Sequence, residues 1–155
     1  MGQYYKVVNI TKKKVMNPYT FGSGGKLMEF SSDAMSIMQG LAILLADGNG
    51  RGGGDLHSEN PIIGSWAGDQ IVVTGDYADP GKFVEYPQRN LYDVASDYED
   101  ISLKVIGVLC EDSWWKQEYY EGWKSRNFEH WDDEIQSFNE KLFGKNGNKM
   151  EVESV

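Results

Sequence analysis

Between Asp47 and His57 the chain reads Asp-Gly-Asn-Gly-Arg-Gly-Gly-Gly-Asp-Leu-His, with five glycines from Gly48 to Gly54. Three chemistries fit these residues. The first is an anion cradle. Successive N–H groups around Gly52, Gly53 and Gly54 can converge on a phosphate, and Arg51 adds a planar, permanently charged fork. The GxxxxGK[ST] pattern is absent, and the loop follows a helix C-terminus, whose partial charge is negative. A standard nucleotide fold is therefore not expected, and the reading narrows to a private site for a small phosphorylated or nucleotide-like ligand. The second is a hard cation, Ca or Mg, held by oxygens of Asp47, Asn49 and Asp55. An EF-hand is excluded, because Arg51 falls on its fifth position and Ser58 on its twelfth. The third is structural: glycines stop the helix, while Asp47, Asn49 and Asp55 cap local turns. The chain entropy lost on ordering so many glycines speaks against a purely structural loop.

Around the loop, Trp66 or Tyr77 would stack a ring, and Asp55 or Asp69 would accept from ribose or base. Asp69 and Asp76 bracket the strand-like QIVVTG, which sets them roughly 23 Å apart if extended. A glycosidase pair needs less than about 10 Å, so these two do not form one. Asp76 remains a candidate partner for an acid of the loop. His57, between Asp55 and Glu59, is a general-base candidate; with Asp55 or Asp76 and a divalent ion it would give a metal-dependent hydrolase. No GxSxG nucleophile motif exists. Cys110 reads as a small buried hydrophobe and His130 as a surface or packing residue. An enzyme is thus the weaker expectation, and no catalytic residue is assigned.

The second concentration of chemistry is aromatic: Trp114, Trp115, Tyr119, Tyr120, Trp123, Phe128 and Trp131. Trp115, Tyr119 and Trp123 make one helical stripe at four-residue spacing. Trp114 and Tyr120 are left partly exposed, the composition of a partner or dimer interface.

The elements that position these groups follow from periodicity. QYYKVVNI and KVM, joined by the ITKK turn, read as a hairpin. Ser31, Ser32 and Asp33 offer N-caps for a helix AMSIMQGLAILLA, with a core stripe of Met35, Met38, Leu41 and Leu45. Gly40 in its middle implies close packing. PIIGSW and QIVVTGDYA read as a second hairpin around Ala67-Gly68-Asp69. From Asn90 the pattern is helical with a break near Asp100, and two further helices carry the tryptophans. The expected fold is α+β: a small, mainly antiparallel sheet with one central helix and a helical, Trp-rich C-terminal segment. It forms a single domain over 1–143, a motif-bearing module at 1–105 and a helical extension at 111–143, followed by a flexible tail at 144–155.

The chain has 155 residues, 40% hydrophobic, 13% aromatic, with a net charge of −9. Residues 1–32 hold five lysines against Glu29, about +4, which leaves about −13 for the rest. Such a surface repels nucleic acid and suits a basic protein partner. The apolar runs LAILLA and VIGVLC are far short of the roughly 20 residues of a bilayer span, so no membrane role is expected. MGQYYKVVNI lacks the order of a secretory signal, and a cytoplasmic location is expected. One cysteine rules out an internal disulfide, and with two histidines it does not build the usual structural zinc site.

MGQYYKVVN, KLMEF, LLADGNGRGGGDLHSENPIIGSWAGDQIVVTGDYADPGKF and NLYDVASDYEDIS together resemble a family of small prokaryotic and viral proteins. The likeness covers roughly residues 1–105, and the end from about Glu111 lies outside it. It implies one compact module with a glycine loop and a hairpin, and it carries over no catalytic residue. A viral setting would imply a host-defence antagonist, by analogy alone. The leading expectation is a non-enzymatic binding protein for a small phosphorylated ligand. The alternative is an acidic interaction or inhibitor protein whose aromatic helices dock a basic surface, and a divalent-metal hydrolase comes third.

Overall fold

The computed structural model of the chain describes residues 2–31, 36–125, 132–147 and 149. The first hairpin forms as expected: β1, Tyr5–Asn9, pairs antiparallel with β2, Lys14–Met16, with Val8 opposite Val15. Its turn is tied by Asn9 Oδ1, which accepts the Lys12 N–H at 2.8 Å. β3, Ile71–Gly75, lies antiparallel along the other side of β1, with Val7 opposite Val73. A two-residue β4, Glu99–Asp100, runs parallel to β2, giving the order β3-β1-β2-β4.

Alternation along β1 sends Val7 and Val8 to opposite faces, yet both are fully buried. Both sides of the sheet are therefore covered. Val7 and Met16 join a large cluster built mainly with helices, while Val8 and Val15 pack with Leu91 and Ala95 in a smaller one. The helices are α1, Ile37–Leu45; α2, Leu91–Val94; α3, Ser102–Leu109; α4, Ser113–Ser125; and α5, Asp133–Phe143. The architecture is α+β. No helix among the described residues is long and apolar enough to cross a membrane.

Helix α1 departs from the expected phase. Its N-cap is Ser36; Ser31 lies in a turn before it, and Ser32, Asp33 and Met35 fall outside the described residues. Met38 and Leu45 of the expected core stripe are exposed, and the buried residues are Ile37, Gly40, Ile43 and Leu44. Gly40 sets this rotation. A Cβ there would lie 2.9 Å from Phe21 and 3.0 Å from Val105, so this face alone lets α1 approach so closely.

The second hairpin does not form. Residues 61–68 run through consecutive turns, and β3 pairs with β1 instead. The cause lies at the end of α1, whose last carbonyls need donors. Gly64 N–H donates to Ile43 O at 2.8 Å and Trp66 N–H to Leu44 O at 2.9 Å. Gly64 has φ +78°, and a Cβ there would meet Ala46 O at 2.5 Å. Trp66, drawn in behind it, is buried.

At the break near Asp100, that residue's Oδ1 accepts from Ser102 N at 2.9 Å and from Ser102 Oγ at 2.6 Å, at the start of α3. In α4 the stripe Trp115, Tyr119, Trp123 is buried as expected, but so is Tyr120, only 5% exposed. Phe143 of α5 lies 6.0, 5.2 and 5.4 Å from the rings of Tyr119, Tyr120 and Trp123, and Gly147 closes over the Tyr120 hydroxyl. Phe143, at the α5 C-terminus, thus draws in a second face of α4, and Tyr120 goes inward with it. Past Gly144, where the tail was expected, Lys145–Gly147 form a 3-10 turn. Phe128, His130, Trp131 and residues 150–155 lie outside the described residues.

Candidate functional site

The glycine loop folds around its own aspartate. Asp55 Oδ2 accepts the N–H groups of Gly50 and Arg51 at 2.9 Å each and of Gly52 at 3.2 Å. Glycines at φ +82°, +93° and +91° (Gly48, Gly50 and Gly54) give the backbone the left-handed steps that aim these donors inward. An anion nest is thus present, and its anion is the Asp55 carboxylate. The donated N–H of Arg51, then those of Gly50 and Gly52, hold its pKa below the ordinary carboxylate value. Asn49 pins the other side: its amide donates to Leu56 O at 2.7 Å and accepts from Leu56 N at 2.9 Å. Leu56 is thereby anchored in the core, and Ser58 Oγ ties the loop's end to Glu111 at 2.8 Å.

Two of the three oxygen donors considered for Ca or Mg, Asn49 and Asp55, are therefore committed to the loop's own backbone. Among the described residues no group of three or more His, Cys, Asp or Glu is placed to hold a metal ion. Arg51 is exposed, its guanidinium carbon 3.8 Å from where a Gly48 Cβ would stand. Gly52, Gly53 and His57 are exposed as well.

The loop does not stand alone. With α1 and the start of α4 it bounds a groove of about 350 Å³. Ala42, Ile43, Ala46, Leu56 and Leu109 supply apolar lining; Asn49, Gly54 and Asp55 come from the loop. Asp112 and Trp114 contribute from the other side. Asp112 Oδ1 accepts the Trp115 N–H at 3.0 Å, an N-cap that starts α4 and sets Trp115 inward. Its neighbour Trp114 is 59% exposed at the groove. The charged groups of the lining are both carboxylates, Asp55 and Asp112.

The structure thus brings Asn49, Gly54, Asp55 and Trp114 to one place. Arg51, Gly52, Gly53 and His57 border the same loop but do not line the groove. The remaining residues singled out in the sequence lie elsewhere. Trp66 is 1% exposed, in the core. Asp69 accepts from Asn9 Nδ2 at 2.8 Å and pairs with Lys12, and these bonds, Lys12 first, lower its pKa. Asp76 Oδ1 accepts the Tyr4 N–H at 2.9 Å at the far end of β3, next to the exposed Tyr77. Burial pushes the Cys110 thiol up to about 12, which keeps it protonated at neutral pH. Asp112 was missed by the sequence reading, although an acid directly before the first residue of an aromatic helix is an N-cap signal. No protein-family profile, curated protein or solved structure matches this chain.

Proposed function

We propose that this protein is a non-enzymatic interaction protein whose groove between α1, the glycine loop and α4 takes a basic, amphipathic segment of a partner. The observation that carries this reading is Trp114, a large indole left 59% exposed beside an apolar floor and two carboxylates. Tryptophan is among the residues most enriched at binding hot spots, and the formal charges beside it, Asp55 and Asp112, are both negative although each carboxylate already accepts backbone N–H groups. The overall charge of −9 favours the same partners at long range.

The reading as a binder of a small phosphorylated ligand is weaker on this geometry. Such a ligand would have to displace Asp55 from the N–H groups of residues 50–52, leaving exposed Arg51 as its principal contact. Both readings answer to one experiment. The protein is titrated with Lys/Arg-rich amphipathic peptides and, separately, with inorganic phosphate and nucleotides, followed by thermal shift. Binding of a basic peptide, weakened about tenfold or more by Trp114→Ala and untouched by Arg51→Ala, is the expected result. Stabilisation by phosphate or nucleotide, abolished by Arg51→Ala, would overturn it in favour of the phosphorylated ligand.

A further inference from the structure

The sheet ends differently on its two sides. At one end β4 is only two residues long, both acidic, and Glu99 is held by Lys104 and Lys14. A short, charged edge of this kind resists the addition of another strand. At the other end stands β3, Ile-Val-Val-Thr-Gly, with no charge and no proline. It pairs with β1 without a bulge, Tyr5 to Asn9 opposing Gly75 to Ile71 one to one. None of the devices that blunt an edge strand is present within it.

The direction of each backbone group along β3 follows from the ladder. Ile10 N–H donates to Gln70 O at 3.0 Å, and Asp76 N–H donates to Tyr4 O at 2.9 Å. Bonded and non-bonded pairs alternate in an antiparallel ladder, so Gln70, Val72, Thr74 and Asp76 turn their backbone groups toward β1. Those of Ile71 and Val73 turn outward, and they have no hydrogen-bond partner among the described residues. Gly75 N–H turns the same way, while Gly75 O accepts the Ala78 N–H at 3.0 Å. The Val73 side chain is 37% exposed, although Val7 opposite it is fully buried.

We propose that β3 pairs antiparallel with the β3 of a second copy of this chain, about a twofold axis at Val73, joining the two sheets into one. In that register Val73 exchanges both its bonds with the partner's Val73, and Ile71 O receives the partner's Gly75 N–H. The side chains meet without conflict. Val73 packs on the partner's Val73, Ile71 lies against a glycine, and Gln70 opposes the partner's Asp76. A slip of one residue would oppose Asp69 to the partner's Asp76 and set outward groups against inward ones. The strand holds no ionisable side chain, so a charged foreign segment gains no complementarity along it. A ladder this short makes a weak, concentration-dependent dimer. The pairing does not depend on the reading of the Trp114 groove.

The test is sedimentation equilibrium of the full chain from about 10 µM to about 1 mM, with amide hydrogen exchange by NMR at both limits. The average mass should rise from 17.5 kDa toward twice that value. The Val73 amide should exchange about fivefold or more slowly at the higher concentration, while Val72 and Thr74, bonded to β1, stay protected at both. Added salt should strengthen the association, because each copy carries a charge of −9. Val73→Pro removes the outward N–H without touching a bond to β1, and Val73→Lys sets like charges opposite each other. Each variant should abolish the rise in mass while its circular dichroism stays that of the folded chain. A mass of one chain throughout, a dimer that survives both substitutions, or Val73 exchange unmoved by concentration would each overturn the assignment. A monomeric chain whose Val73 amide slows only on addition of an uncharged Thr-Val-Thr-Val-Thr peptide would overturn self-pairing and give the edge to a foreign strand.

Discussion

Asp55 gathers three backbone N–H groups onto one carboxylate oxygen, and the loop's shape follows from that single side chain. Asp55→Ala should therefore speed amide hydrogen exchange at Gly50, Arg51 and Gly52 specifically, while exchange in β1 stays slow. The sign of the pH dependence is set by the same bonds. A carboxylate with a lowered folded pKa contributes its full stabilisation above its unfolded value, near 3.8. That contribution drains as pH falls through the lowered folded value. Protection of these three amides, measured against the intrinsic exchange rate at each pH, should accordingly hold at neutral pH and fall only in acid. Glycines with a cation and acids were legible in the sequence as an anion-binding loop. The sequence left the structural reading, with Asn49 and Asp55 capping local turns, beside the external-anion reading, because Asp55 lies three to five positions on in the same loop and spacing alone does not separate a ligand's oxygen from an internal one. The aromatic pair shows the same limit. Trp114 and Tyr120 look alike by composition, but Tyr120 packs on Phe143, a partner more than twenty residues away. Tyr120→Ala should destabilise by about 3–5 kcal/mol, and Trp114→Ala by less than about 0.5 kcal/mol, measured by denaturant unfolding.

At the level of elements, the first hairpin, the break near Asp100 and the buried stripe of α4 were readable because local pattern and tertiary packing agree there. The phase of α1 was not. Two apolar stripes one residue apart compete on that helix, and a glycine without a side chain decides between them through Phe21 and Val105. Gly40→Ala gains about 1 kcal/mol in helix propensity but loses about 1–3 kcal/mol to overpacking against the buried Phe21, so it should lower stability. Gly64→Ala should cost more, about 2–3 kcal/mol, because Ala46 O cannot swing away and φ is +78°. Thermal melts of the two variants rank them. The second hairpin failed for a related reason: Ile62, Ile63 and Trp66 have strand-like residue types, but the carbonyls at the end of α1 claim the N–H groups of Gly64 and Trp66. Nothing in the segment's own pattern announces that demand.

Across the whole molecule, the large cluster joins Val7 and Met16 of the sheet to Trp115, Tyr119 and Trp123 of α4 and Phe143 of α5. The C-terminal helices therefore complete the core of the first 105 residues. A chain ending at residue 110 should lose the cooperative thermal transition and expose apolar surface, as read by dye binding. The groove that carries the proposed function draws on both halves of the chain, since α1 and the glycine loop come from one and Trp114 from the other. Its position on an acidic molecule predicts binding that weakens as salt rises. The most direct measurement is an NMR titration of the isotopically labelled full chain with the tightest-binding basic peptide. The expected result is that the largest shifts fall on the Trp114 indole N–H and the backbone amides of Ala42, Ala46, Gly54 and Leu56. Shifts centred instead on Arg51, Gly52 and Gly53, with the Trp114 indole unmoved, would contradict the account.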